Sequence, residues 1–236
     1  MKGERNFLGV NSNTQFDLFS APQVLVWPSS QSRNASDFIF PSSSTTLLSP
    51  RVCQNDSAPS PRLLVVVCSA VPHLAARATI RQSWARDTAS LGSVAVVFLL
   101  GRQQQGDNTL QLQVSNESQE YGDIVQEDFI DTYANLTVKT LMLLKWFTEN
   151  CADTQYVMKT DDDMYINLAR LQEVVQSNKD PQLLTGMLNQ KSRPITDTKS
   201  KWFAPSYMFT NNTYPEFYPD FLSGMDLYFQ HMTFLC

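Results

Sequence analysis

Leu63-Leu64-Val65-Val66-Val67 is an unbroken apolar run between Arg62 and the Cys68-Ser69 step. Five apolar residues in a row leave no face for water, which is the pattern of a short strand covered on both sides. Outward from it, Leu74 to Leu91 fits a helix, with Arg77, Arg81 and Trp84 at i, i+4 and i+7 on one face. Val94 to Leu100 predicts a second buried strand closed by Gly101, and Asp123-Ile124-Val125 a third. Asn135 is placed to cap a helix running to about Glu149, with Leu136, Leu141, Leu144 and Phe147 at helical intervals. Tyr156-Val157-Met158 predicts another strand, Asn167 a cap for a helix from Leu168 to Gln176, and Leu183-Leu184 the start of a further strand. Strands alternating with helices predict an α/β domain built on a mostly parallel central sheet with covered faces.

Residues 1–60 read differently. Ser29-Ser30, Ser42-Ser43-Ser44-Thr45-Thr46 and the prolines at 22, 28, 41, 50, 59 and 61 give a polar segment with little periodicity. Such a segment predicts a Ser/Pro-rich stem or disordered linker ahead of one domain over 61–236. With 236 residues, 42% of them hydrophobic, the chain can bury one sizeable core. A net charge of -5 without a basic block excludes nucleic acid as the main partner. The four cysteines have no C-x-x-C spacing and only His73 and His231 accompany them, which argues against a structural zinc site. Cys68 lies inside an apolar run and is expected to be buried; Cys53 and Cys151 are disulfide candidates that the sequence does not pair. Five sequons, at Asn34, Asn55, Asn116, Asn135 and Asn211, favour the secretory pathway. The longest apolar stretch, Leu63 to Val71, is broken by Ser69 and falls far short of the ~20 residues of a spanning helix. Membrane attachment is therefore expected only if an N-terminal anchor lies outside this chain.

The chemistry concentrates at Lys159-Thr160-Asp161-Asp162-Asp163, directly after a predicted strand. Three adjacent carboxylates repel one another unless a cation is present. In an extended chain Asp161 and Asp163 point to one side and Asp162 to the other. Asp161 and Asp163 are thus candidate ligands for Mg²⁺ or Mn²⁺, hard cations that take oxygen donors. Ligands of open α/β sheets bind beyond the carboxyl ends of strands, where this run falls. A metal there would neutralise a diphosphate leaving group. The plain alternative is a solvated acidic turn. An aspartyl-phosphate phosphatase also ends a strand in D-x-D, but near the start of its domain, whereas here residues 61–160 come first.

Several stretches carry a family resemblance. Arg77-Ala-Thr-Ile80-Arg81-Gln-Ser83-Trp84 resembles the R-x-x-I-R-x-[ST]-W motif of the β-1,3-glycosyltransferases, the β-1,3-galactosyl- and β-1,3-N-acetylglucosaminyltransferases. Val97-Phe98-Leu99-Leu100-Gly101 is similar to that family's second strand, and Glu117 to Ile124 with Asp128 to Thr140 to its longest shared block. Tyr156 to Asp163 is similar to its metal motif, while Lys201-Trp202, Tyr214-Pro215 and Tyr218-Pro219 resemble its acceptor-side region.

The resemblance implies a GT-A fold, a Rossmann-like α/β domain using a UDP-sugar with Mn²⁺ or Mg²⁺. It implies a hexosyltransferase that moves galactose or N-acetylglucosamine to the 3-hydroxyl of an acceptor glycan, on glycoprotein or glycolipid, with inversion. It also implies a signal-anchored Golgi membrane protein with a lumenal domain acting in protein glycosylation. By residue, Asp161 and Asp163 would hold the metal, with Asp162 near the donor ribose or sugar. Arg77 and Arg81 would either face the donor phosphates or form structural ion pairs with Glu117 or Asp123. Trp84 is expected in the core, and Asp128 and Asp131 in loops or caps. The family continues past Y-P-x-[YF]-x-x-G to an acidic E-D-V-like motif that supplies the general base. Tyr218 to Gly224 keeps the first part, but Met225-Asp226-Leu227 departs from the pattern. The expectation is a member truncated at both ends, its donor half present and its general base beyond residue 236. The alternative is an inactive nucleotide-sugar or glycan-binding member of the same fold.

Overall fold

The computed structural model describes residues 30, 32, 34–53, 59–86, 88–104, 108–179 and 183–230. At its centre is β2 (Leu63–Cys68), buried at every position. It pairs in parallel with β3 (Val94–Arg102) on one side and β5 (Tyr156–Asp161) on the other. β4 (Ile124–Ile130) extends the parallel set beyond β3. Two antiparallel strands, β1 (Thr46–Leu48) and β7 (Phe221–Gln230), flank that set, and β6 (Leu184–Asn189) forms the far edge. The order is β1-β4-β3-β2-β5-β7-β6, the mostly parallel α/β sheet that the apolar runs predict.

Alternation along β2 splits its side chains between two cores, as the period of 2 requires. Leu63, Val65 and Val67 pack with Ile80, Trp84, Phe98, Met158 and Leu171. Leu64, Val66 and Cys68 pack with Val97, Leu99, Leu143, Trp146 and Phe147. Helices α2 (Leu74–Gln82) and α6 (Leu168–Ser177) contribute to the first face, and α5 (Leu136–Asn150) covers the second.

Several expectations shift. The helix expected over Leu74 to Leu91 breaks: α2 ends at Gln82, where the Ser83 hydroxyl donates to the Thr79 carbonyl and Trp84 turns inward. A short α3 (Thr88–Leu91) follows. The third strand runs on to Ile130, and a helix that no clear periodicity announces, α4 (Asn108–Tyr121), precedes it. Gly122 ends α4 with φ of 64°, its N–H returning to the Ser118 carbonyl, a left-handed position that suits glycine. Asn167 caps α6 as expected, its side chain accepting from the Arg170 N–H.

The expected 1–60 stem is corrected over residues 34–53; residues 1–29 and 54–58 of it lie outside the described residues. Ser36–Ile39 forms a short helix, α1, and β1 joins the sheet edge on β4. Phe38 is buried among Phe129, Val138 and Met142. The buried Lys145 ammonium donates to the carbonyls of Ile39, Phe40 and Ser43 and to the Thr45 hydroxyl at 2.7–3.2 Å. A disulfide joins Cys53 to Cys151 at the end of α5, while Cys68 is free and buried. This segment carries no periodicity because it has no core of its own; its order comes from an edge strand, one aromatic anchor and a covalent tie.

On the opposite edge, β6 leaves Leu184, Met187 and Leu188 more than half exposed. Among the described residues no helix is long and apolar enough to cross a membrane.

Candidate active site

The carboxyl ends of β2 and β5 lie side by side, with Cys68 opposite Asp161. Each strand then turns into a loop, Ser69–His73 after β2 and Asp162–Asn167 after β5. These two loops meet at Asp162. Its Oδ2 accepts from the Ser69 hydroxyl at 2.7 Å and lies 2.7 Å from His73 Nδ1. The Asp162 side chain is only 15% exposed.

Its neighbours are disposed otherwise. Asp161 is 36% exposed and has Lys159 Nζ at 3.4 Å, while Asp163 is exposed. Burial pushes the Asp161 carboxyl above its ordinary value; the Lys159 ammonium pulls it down and the Asp163 charge pushes it up. Among the described residues no three His, Cys, Asp or Glu side chains form a group that could cage a metal by themselves. Two accessible carboxylates suit a cation that takes the rest of its shell from water and phosphate oxygens, as Mg²⁺ does on nucleotides. The donor set of Asp161 and Asp163 fits that use.

Arg77 and Arg81 do not take the donor-phosphate role, and this is a correction. Arg77 is 0% exposed, and a guanidinium has five N–H donors. Nε and Nη2 donate to Glu117, Nη1 to Ser69 Oγ and the Ala70 carbonyl, and Nη2 also to the Val71 carbonyl. All five donors are committed, so none is left for a phosphate. Arg81 is bidentate on Asp123, donates to Glu117 and stacks against the Phe98 and Tyr121 rings at 4.7 and 4.1 Å. The structural ion pairs that the sequence allowed are the ones formed. Burial works to raise the Glu117 carboxyl, yet bonds and charges from Arg77 and Arg81 together hold it below the ordinary value.

The first loop is held from a second side. Lys139 Nζ, buried in α5, donates to the Ser69 carbonyl and to Asp131 Oδ2, both at 2.7 Å. Asp131, in the loop after β4 as expected, also accepts from the Gly101 N–H; Asp128 is corrected, since it lies within β4 and not in a loop or cap, where it pairs with Arg102. A cleft of about 350 Å³ opens here, lined by Ala70, Val71, Pro72, Arg102, Gln103, Gln104 and Asp131. Trp84 is buried as expected, and its Nε1 donates to the Met164 carbonyl, fixing the second loop beyond the acidic run.

A separate cleft of about 530 Å³ contains the stretch that resembles an acceptor side. Tyr133, Lys201, Trp202, Tyr207 and Met208 line it, with the Lys201 ammonium 4.5 Å from the Trp202 ring. Tyr214 and Tyr218 pack on Phe209 nearby in sequence. Asp226 lies on β7 next to Leu227, which pairs with Lys159, so its backbone runs beside the end of β5; its side chain lies outside the described residues.

Of the sequons, Asn34, Asn116 and Asn211 are exposed, and Asn55 lies outside the described residues. Asn135 is corrected. It is 4% exposed, at the position before α5 but not capping it, and its Nδ2 donates to the Ile130 carbonyl. A buried amide so engaged is no glycan acceptor in the folded chain. The residues missed from sequence are Ser69, His73 and Lys139. Ser69 carried one signal: it is the polar residue that ends the apolar run.

Comparison with known proteins agrees with this geometry. A galactosyltransferase family model matches residues 75–231, more than half of the chain. The chain is 39% identical over 160 residues to beta-1,3-galactosyltransferase 5 of Mus musculus, covering 66% of this chain and 51% of that protein. It is 36% identical over 172 residues to mouse beta-1,3-galactosyltransferase 2, covering 71% and 40%. The human beta-1,3-galactosyltransferase 5 shares 39% over 167 residues, covering 70% and 52%. The chain thus spans about half the length of the curated relatives it matches. With its parallel sheet, its arginine motif and its acidic strand end in family order, the chain belongs to the galactosyltransferase family.

Proposed function

We propose that this chain carries the donor-binding site for transfer of galactose from UDP-galactose to the 3-hydroxyl of an acceptor sugar, with inversion to a β-1,3 linkage. The observation that carries this reading is the acidic strand end. Asp161 and Asp163 are left accessible at the carboxyl edge of a parallel sheet, where nucleotide ligands of such sheets bind, and the neighbouring loop after β2 lines a cleft. They would hold Mn²⁺ or Mg²⁺, which when bound neutralises charge on the departing diphosphate. Asp162, anchored through Oδ2, would accept from a donor hydroxyl. The cleft behind Ala70–Pro72 takes the nucleoside end. Galactose is preferred over N-acetylglucosamine because the relatives are named galactosyltransferases.

The acceptor would enter on the side of Trp202 and Tyr207, aromatic faces of the kind that stack on sugar rings. It would be a glycan of a glycoprotein or glycolipid. Inversion needs a base to take the proton of the attacking hydroxyl. The Cys53–Cys151 disulfide and the exposed sequons support a lumenal, Golgi setting, since disulfides persist in oxidising compartments.

The test is calorimetry of the purified chain with UDP and Mn²⁺, then a transfer assay from UDP-galactose to an N-acetylglucosamine-terminated acceptor. UDP binding that needs the metal, with β-1,3 product formed, is the expected result. Binding without transfer would assign the chain to the nucleotide-sugar-binding alternative. No UDP binding in either metal would overturn the donor-site reading.

A further inference from the structure

We propose that Arg77 is a positioning residue for the donor site: acting through Ser69, it fixes the Asp162 carboxylate and the adjoining Ala70–Val71 wall of the cleft. This rests on the donor-site reading above and goes further, naming how a buried arginine with no access to ligand governs ligand binding.

A guanidinium that served only to tie two helices would end at its carboxylate. Arg77 does more. Two of its five donors go to Glu117 on α4, and the other three reach across to the loop after β2. They take the Ser69 hydroxyl at 3.1 Å and the Ala70 and Val71 carbonyls at 2.7 and 3.3 Å. Ala70 and Val71 line the cleft.

The polarity of the relay is fixed by chemistry. A guanidinium only donates, so the Ser69 oxygen must accept from it. The single hydroxyl proton is then committed to Asp162 Oδ2, at 2.7 Å. That bond holds the carboxylate in one orientation. Ser69 itself cannot drift, because its carbonyl is held by Lys139 and its N–H by the Leu99 carbonyl. His73 Nδ1 meets the same Oδ2 from the solvent side. Both of these contacts fall on Oδ2, and neither uses Oδ1. Outer partners that orient ligand-binding carboxylates commonly matter to affinity nearly as much as the ligands themselves.

Arg77→Ala is a poor test, since it strands Glu117 in the interior. Ser69→Ala is the sharper one, because Arg77 keeps its bonds to Glu117, Ala70 and Val71. UDP is titrated by calorimetry in saturating Mn²⁺ into the full chain as wild type, Ser69→Ala, Asp162→Ala and the double variant, with thermal midpoints measured alongside. The relay predicts that Ser69→Ala weakens UDP binding about tenfold. It also predicts that the double variant binds no more weakly than Asp162→Ala alone, since the serine acts through the aspartate. Additive losses, or wild-type affinity in Ser69→Ala, overturn the relay while leaving the donor site intact. A wild-type chain that does not bind UDP removes the donor-site reading and the relay with it.

Discussion

Glu117 and Asp123 on one side of α2, and Asp161 and Asp163 at the end of β5, are carboxylates treated in opposite ways. The first pair is met by two arginines, with every oxygen of Glu117 and Asp123 taken by a guanidinium N–H. The second pair, where Lys159 lies 3.4 Å from Asp161 and the Lys139 charge is also felt, keeps solvent access. The difference teaches where charge serves the fold and where it is held in reserve. A buried carboxylate with complete partners has nothing left to offer a ligand. One left half-satisfied costs stability and gains by binding a cation. Asp162 stands between the two: the Ser69 hydroxyl and His73 Nδ1 both meet its Oδ2.

The sharpest way to break this contrast is to remove one member from each cluster. Arg77→Ala leaves Glu117 buried against Arg81 alone and should cost about 3–5 kcal/mol, the usual penalty for breaking a buried ion pair. Urea denaturation reads it directly. A loss below about 1 kcal/mol would mean that water reaches Glu117 and the pair is not structural. Asp161→Asn should behave in reverse. It relieves repulsion with Asp163, so folding stability holds or rises slightly, while affinity for UDP with Mn²⁺ drops by about a hundredfold. Equal stability losses in both variants would erase the distinction between the clusters.

Acid titration separates the clusters by sign. The folded-state pKa of Glu117 is lowered from 4.5. A depressed carboxylate stabilises the fold above its unfolded value, and that contribution disappears as pH falls through its folded value. Stability measured from pH 6 downward should therefore fall once pH passes below about 4.5, the unfolded value, and Glu117→Gln should flatten that part of the curve. A variant curve parallel to wild type would show that Glu117 is not the group being protonated.

Much of this was legible in sequence, and the boundary of legibility has a physical cause. β2, β3 and β5 announce themselves because a strand covered on both faces must be apolar throughout. The acidic run could be placed at a strand end for the same reason. The partners of the arginines could be named, because Glu117 and Asp123 are charges in the same motif set, but not chosen over a phosphate, since sequence does not show depth. Arg77 at 0% exposure settles that choice. Ser69 and His73 are not legible in the sequence because their role is a contact across 93 and 89 residues of chain, made only when two loops end side by side. The segment from residue 34 to Cys53 reads as linker because an edge strand and a disulfide leave no period in the sequence. Asn135 reads as a glycan site for the converse reason: a sequon is a local pattern, and burial is not.

The smallest expected effect tests whether the acidic loop is fixed at both ends. Trp84 is a core residue whose Nε1 donates to the Met164 carbonyl, just past the acidic run. Trp84→Phe keeps an aromatic ring in the same core but deletes that donor. Loss of one such hydrogen bond with a little packing should cost about 1 kcal/mol of folding stability. If Ser69 and His73 suffice to hold Asp162, UDP affinity in Mn²⁺ should stay within about twofold, because the freed carbonyl lies two residues beyond the anchored carboxylate. A larger drop in affinity at that modest loss of stability would make Trp84 a second support of the donor loop. The reserve of charge on Asp161 and Asp163 would then depend on a clamp at each end of their turn, not on the Ser69 side alone.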